Sequence, residues 1–215
     1  MKKSQIWLER LGIGSLFLTL ISFAVALTIN ARFIYVADIH YLNILDFVNL
    51  SKERLLENYD QLIAFLNRPW VTELNLPDFT MSEGGKAHFY DVKKLFLFDY
   101  GVFLVTFIPS ILFCFHLRKK RRFWRLIRPF QWGMAAPVAF LSLLVIGFDR
   151  FFIMFHQIFF TNDDWMFDPA TDPIINVLPE QYFMHCFFFF FILIEVLFLI
   201  MMMIGKKEVQ GDRIR

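Results

Sequence analysis

Four apolar stretches, each long enough for a helix to cross a bilayer, constrain this chain more than any other feature. A helix needs about 20 predominantly apolar residues to cross ~30 Å of hydrocarbon. Residues 11–29 carry no charge, 95–117 are interrupted only by Asp99, 132–148 are uncharged, and 182–205 surround a single Glu195. None alternates as a barrel strand does. Of the 215 residues, 57% are hydrophobic and thirty are Phe, whereas a soluble domain carries roughly 45–50% apolar residues. So short a chain has no interior that could hide the excess. A soluble enzyme, a disordered tail and a disulfide scaffold are excluded. The sequence predicts an all-α membrane protein with four transmembrane helices. Lys2, Lys3 and the Ala24-Val25-Ala26 triplet loosely fit a signal peptide, but the apolar run exceeds a signal core, and a retained helix is expected.

Lys and Arg set the orientation, because they accumulate in short cytoplasmic segments. Lys2, Lys3 and Arg10 precede the first span, and Lys206, Lys207, Arg213 and Arg215 end or follow the fourth. Arg118, Lys119, Lys120, Arg121, Arg122, Arg125 and Arg128 crowd the loop 118–131, whereas 151–181 hold no Lys or Arg and carry Asp163, Asp164, Asp168, Asp172 and Glu180. Both termini and the basic loop are therefore predicted to be cytoplasmic. Residues 30–94 and 149–181 are predicted to lie outside, forming a small extracellular cap. Net charge is only +2, so the basic loop reads as an orientation signal attracted to anionic lipid rather than a nucleic-acid surface. Cys114 and Cys186 sit near opposite ends of their spans, roughly 20 Å apart in depth, which excludes a disulfide.

The first external segment has helical periodicity. Leu55, Leu56, Tyr59, Leu62, Ile63 and Leu66 recur on one face, Ser51 is placed to cap, and Pro69 lies beyond the end. The Gly84-Gly85 pair is read as a break just before His88.

His88 precedes the second span by about two helical turns, and His156 follows the third by about two. Those spans run in opposite senses, so both imidazoles fall at one height on the outer side. Two imidazoles can supply a general base and a general acid near neutral pH. Two unrelated interfacial histidines, bonded to carbonyls or water, fit the spacing as well. Asp91, three residues after His88, can hold its second nitrogen or simply pair with Lys93 or Lys94. Asn162, Asp163 and Asp164 can orient His156 or form a turn. Trp165, Phe155, Phe159 and Phe160 can wall a lipid pocket or belong to an aromatic belt. His40, His116 and His185 are weaker candidates. Glu195 is costly in mid-bilayer, with Thr19, Thr106 and Ser142 at middle depths as hydrogen-bond partners. Asp99 can reach the outer boundary or Arg150. There is no GxSxG, Walker loop, HExxH or CxxC, so no metal or cofactor is expected.

The string FHQIFFTNDDWMFDPATDPIINVLPEQYF, together with HFYDVK before the second span, resembles the family of lipoprotein intramolecular transacylases. The resemblance covers the four-span layout, both external segments and the charge pattern. It implies catalytic histidines at His88 and His156; the residues themselves, rather than the resemblance, suggest Asp91, Tyr90, Phe155, Phe159, Phe160, Asn162, Asp163 and Trp165 as supporting or substrate-binding neighbours. It also implies a bacterial cytoplasmic-membrane enzyme with an outward-facing site. The expected substrate is a diacylated bacterial lipoprotein, whose sn-2 acyl chain moves to the α-amino group of its own N-terminal cysteine. Membrane lipids are expected partners, nucleic acid is not, and the chain is expected to be a monomer. The rival readings are another outer-leaflet acyltransferase or phospholipase, and a non-catalytic lipid-binding adaptor.

Overall fold

The computed structural model describes residues 3–213. Every regular element among them is helical. Seven α-helices follow in order: α1 Lys3–Ile29, α2 Arg32–Tyr41, α3 Lys52–Asn67, α4 Glu83–Lys120, α5 Ile127–Gly133, α6 Ala135–Phe159 and α7 Glu180–Arg213. Four helical stretches, Gln5–Ile29, Glu83–Lys120, Phe123–Phe159 and Glu180–Gly211, are long and apolar enough to cross a membrane. The 38 residues of α4 extend about 57 Å at 1.5 Å per residue, well beyond the ~30 Å of a hydrocarbon core. One helix therefore carries both an apolar stretch and, near its start, His88. Helix α6 is interrupted at Gly147, whose backbone is extended (φ −176°, ψ 87°).

The chain divides into two compact units. The first comprises α1 up to Leu27, residues Asp99–Leu143, and α7 from Phe188. Glycines let its helices approach closely: a Cβ at Gly12 would run into the Phe113 ring, and one at Gly133 into Phe17. Phe17 stacks on Phe130 (4.4 Å between centroids) and meets Phe198 edge-on (4.9 Å). Thr19 Oγ1 lies 2.9 Å from Thr106 Oγ1 and 2.8 Å from Ser110 Oγ, and Ser15 donates to the Thr106 carbonyl. This corrects the sequence-based pairing with Glu195. Thr19 and Thr106 bond each other, Ser142 donates to Val138 of its own helix, and Glu195 Oε2 is buried without a hydrogen-bond partner among the described residues. Asp99 bonds Ser22. Depth ranks residues along a helix but leaves open which side of it they occupy.

The second unit, Thr28–Phe98 with Leu144–Phe187, holds both candidate histidines. Helix α3 starts where the Ser51 side chain accepts the Arg54 N–H, as its capping position requires. It buries Leu55, Asn58, Tyr59, Leu62, Phe65 and Leu66. Leu56 and Ile63 of the predicted stripe are only half-buried. Tyr35 stacks on Tyr59 at 4.1 Å; its hydroxyl donates to the Val177 carbonyl, and the Tyr59 and Tyr182 hydroxyls meet at 3.0 Å. Buried phenols thus find polar partners, as desolvation demands.

Irregular backbone in this unit is held by side chains. Asn58 donates from Nδ2 to the Asp78 carboxylate and accepts the Asp78 N–H on Oδ1. The Lys93 ammonium lies 4.3 Å from the Phe65 ring centroid and donates to the carbonyls of Arg68 and Val71. His185 donates to Asp38 at 2.8 Å, and Lys52 donates to His40 at 2.7 Å. The thiols of Cys114 and Cys186 are both free.

Candidate active site

Helix α4 begins with Ser82, whose Oγ accepts the N–H of Gly85 at 2.9 Å and whose carbonyl takes the Lys86 N–H. Ser82 therefore caps the helix, and the two glycines lie in its first turn instead of breaking the chain before His88. Small residues are needed there because a Cβ at Gly85 would overlap the Asp172 carboxylate, and one at Gly84 would come within 3.1 Å of Asp164 Oδ1. His88 follows in the next turn. His156 sits in the last turn of α6.

The two imidazoles meet with centroids 5.7 Å apart, tilted by 36°. Each residue is only 8% exposed, so substrate atoms bound between them would be shielded from bulk water. The Nδ1–H of His156 donates to the Phe152 carbonyl at 2.7 Å. A carbonyl can only accept, so this bond fixes the tautomer and leaves Nε2 as the lone-pair nitrogen. Nδ1 of His88 is buried without a hydrogen-bond partner among the described residues.

Aromatic rings enclose the pair. Phe160 contacts both histidines (4.8 Å to His88, 5.6 Å to His156), Trp165 stacks on His156 at 4.7 Å, and Phe155 meets His156 edge-on at 5.7 Å. Phe152 and Phe167, which the sequence does not single out, lie 4.3 Å from His156 and 5.5 Å from His88. Phe159 packs on Phe155 and helps line a crevice of about 210 Å³ with Asp91, Lys94, Leu95, Phe160 and Thr161. A larger cavity, about 500 Å³, lies along α2 and α3 and is lined by Arg32, Glu53, Leu56, Glu57, Asp60, Gln61 and Ala64. It shares no residue with the histidine cluster, so size does not select the chemistry here.

The polar neighbours are arranged differently from the simplest sequence reading. Asp91 accepts from Lys94 at 2.8 Å and from Asn162 Nδ2 at 3.1 Å; no hydrogen bond joins it to His88. Asn162 therefore ties the segment that follows α6 to α4 through Asp91. Asp163 takes the Met166 N–H on its backbone carbonyl, as a turn residue does. The Tyr90 hydroxyl donates to the Thr72 carbonyl and its ring packs on Phe65. Asp172 is a further residue that sequence reasoning passed over. It is 2% exposed, accepts the Ser82 N–H at 2.8 Å, and accepts the Thr171 hydroxyl at 2.7 Å. Burial pushes its carboxyl upward, but the bonds from Thr171 and Ser82 outweigh that and hold it below the usual range. No group of three or more His, Cys, Asp or Glu among the described residues is placed to hold a metal ion.

The sequence model of the family described as "Lipoprotein intramolecular transacylase Lit" matches residues 10–183. The chain belongs to the lipoprotein intramolecular transacylase family. It is accordingly an enzyme, a multi-pass membrane acyltransferase acting on lipoproteins. Its structure is similar to the in meso structure of the membrane-integral lipoprotein intramolecular transacylase Lit from Bacillus cereus. The TM-score is 0.94 at 27% identity, and the match covers 100% of each chain. Two variants of that Bacillus cereus enzyme, with one histidine replaced by Arg or by Ala, match at TM-scores of 0.82 and 0.83 and 28% identity. These matches cover 97% of this chain and 93% or 95% of the variant chains. Among curated proteins, no relative matches. Family membership removes the non-catalytic adaptor from the rival readings.

Proposed function

We propose that this transacylase moves the sn-2 acyl chain of a diacylglyceryl-cysteine lipoprotein onto the α-amino group of the same cysteine, with His156 as base and His88 as acid. The observation that carries this reading is the pair of buried imidazoles 5.7 Å apart, one of them held by a backbone carbonyl with its lone pair on Nε2. Burial and mutual repulsion both disfavour a proton on either ring, so the resting pair is uncharged and His156 Nε2 is free to take a proton and pass it to His88.

The α-ammonium first loses a proton to solvent. The amine nitrogen then attacks the acyl carbonyl carbon, and His156 Nε2 takes its second proton. That proton passes from His156 to His88, which protonates the sn-2 oxygen as its bond to the acyl carbon breaks, and the pair ends as it began. Ester becomes amide, which is downhill, so neither ATP nor acyl-CoA is consumed. Attack closes a medium-sized ring through nitrogen, Cα, Cβ, sulfur, the glyceryl carbons, the ester oxygen and the acyl carbon. Such closure is entropically awkward, and aromatic walls that fold the substrate head back on itself supply the orientation. Phe155, Phe159, Phe160 and Trp165 serve as those walls. Asp91, Asn162 and Asp163 hold the external segments in place, and Tyr90 fastens α4 to the loop at Thr72.

The Lys and Arg distribution supports termini and a loop 118–131 on the cytoplasmic side, with 30–94 and 149–181 forming an extracellular cap. The histidines then face the outer leaflet of a bacterial cytoplasmic membrane, where diacylated lipoproteins reside.

The test is an incubation of the purified enzyme with two synthetic diacylglyceryl lipopeptides, one labelled in both acyl chain and peptide and the other unlabelled. Tandem mass spectrometry should find both labels together on every labelled N-acyl product. Labels distributed between molecules, or release of free fatty acid, would reject the intramolecular reading.

A further inference from the structure

Asp172 occupies the position before the 3-10 turn Pro173–Asn176, where a carboxylate ordinarily caps its own turn, yet it makes no such bond. Its Oδ1 instead accepts the N–H of Ser82, the capping residue of α4. A tight turn presents it: the Asp168 carbonyl accepts the N–H groups of Thr171 (3.0 Å) and Asp172 (2.7 Å), and Asp168 Oδ1 accepts that of Ala170. A buried negative group beside the first turn of a helix is favoured by the helix dipole. The fit is tight as well, since a Cβ at Gly85 would lie 3.0 Å from Asp172 Cγ and nearer still to Oδ1.

The consequence concerns the chemistry more than the cap. His88 comes six residues after Ser82, and Phe167, which lies 5.5 Å from the His88 ring, comes five before Asp172. The contact from Asp172 to Ser82 therefore closes a short loop of structure whose other side is His88 against Phe167 and Phe160. Tyr90, Asp91 and Lys93 fasten α4 only beyond His88; without the clamp, the turn ahead of His88 loses its fastening, and the imidazole can shift with it. A change of about 1 Å between reacting groups can cost on the order of 100-fold in rate.

We propose that Asp172 is a positioning residue for acyl transfer: its carboxylate, admitted by the missing side chain of Gly85, locks the start of α4 so that the His88 ring meets His156. The proposal rests on the two-histidine reading above.

The full-length enzyme in lipid nanodiscs is compared with Asp172→Ala, Asp172→Asn, Gly85→Ala and the Gly85→Ala/Asp172→Ala double variant. Asp172→Ala should lower kcat at least tenfold per folded molecule with KM within twofold. Asp172→Asn, which keeps an oxygen for the Ser82 N–H, should recover most of that loss. Gly85→Ala should fall as Asp172→Ala does, and the double variant should be no worse than Asp172→Ala alone. The imidazole nitrogen resonances of His88 should shift in Asp172→Ala, a readout that needs no turnover. A kcat for Asp172→Ala within twofold of wild type, additive losses in the double variant, or an unmoved His88 signal would overturn the proposal. Wild-type enzyme that fails to act on the lipopeptide would instead reject the catalytic reading, and the His88 resonances would still decide the clamp.

Discussion

The two units solve the same problem, fastening helices through buried polar groups, with different chemistry. In the first, apart from the Glu9–Arg125 ion pair and the Trp124 N–H bonded to Glu208, Ser15, Thr19, Thr106 and Ser110 bond one another and helix carbonyls. These are small neutral hydroxyls whose exposure to an apolar medium costs little once they are paired. In the second, the ties are charged or amide side chains directed at irregular backbone: Lys93 at the carbonyls after α3, Asn58 at Asp78, and Asp172 at Ser82. A helix satisfies its own backbone, so its neighbours need supply only packing and an occasional hydroxyl. Loops and helix ends leave N–H and C=O groups open, and the side chains that close them must reach specific atoms. The difference teaches where substitutions will be tolerated: the hydroxyl ties are interchangeable in kind, whereas the second unit's ties must reach particular backbone atoms.

Substitutions can break or sharpen that contrast. Lys93→Ala removes the donor to two carbonyls and the cation over Phe65, and should lower stability by about 3 kcal/mol, since hydrogen bonds to charged groups contribute about 1.5–3 kcal/mol each. Thermal unfolding in detergent checks it; a loss as small as that of a hydroxyl variant would erase the distinction. Asn58→Ala strands the Asp78 N–H and should cost about 1–3 kcal/mol, read in the same assay. Thr19→Val should cost only about 0.6–1.7 kcal/mol, the range of hydrogen bonds between helices in membranes, and should leave turnover unchanged.

The smallest effect concerns pH. The Asp172 carboxyl ionises below its ordinary value near 3.8, so its contribution to folding is complete above that value. It is lost as pH falls through the lower folded-state value. Wild type and Asp172→Asn should therefore differ in melting temperature at neutral pH and converge in acid. A gap that widens below pH 4 would contradict the sign.

The same contrast explains what the sequence made legible. The four spans stand out because hydropathy is a property of whole stretches, and the two histidines stand out because their distance from a span end reports depth. Azimuth and tertiary address leave no such mark. Thr19 and Thr106 looked like partners of Glu195 at equal depth, yet they face each other. Phe152 and Phe167 were indistinguishable among thirty Phe. Asp172 was one of several acids on a segment read for its charge, and Gly84-Gly85 had the appearance of a break. Only the carboxylate packed against Gly85 shows why a side chain is absent there.

The account's central claim, that His88 and His156 act as one acid–base pair, is tested most directly by single-turnover conversion of a synthetic diacylglyceryl lipopeptide by His88→Ala, His156→Ala and the double variant. A positioned acid or base contributes typically 10²–10⁴-fold, so each single variant should lose at least about 100-fold while melting like wild type. The double variant should lose little more than the worse single one, because the two rings work as a unit. Near wild-type rates in either single variant, or losses that multiply in the double, would contradict it.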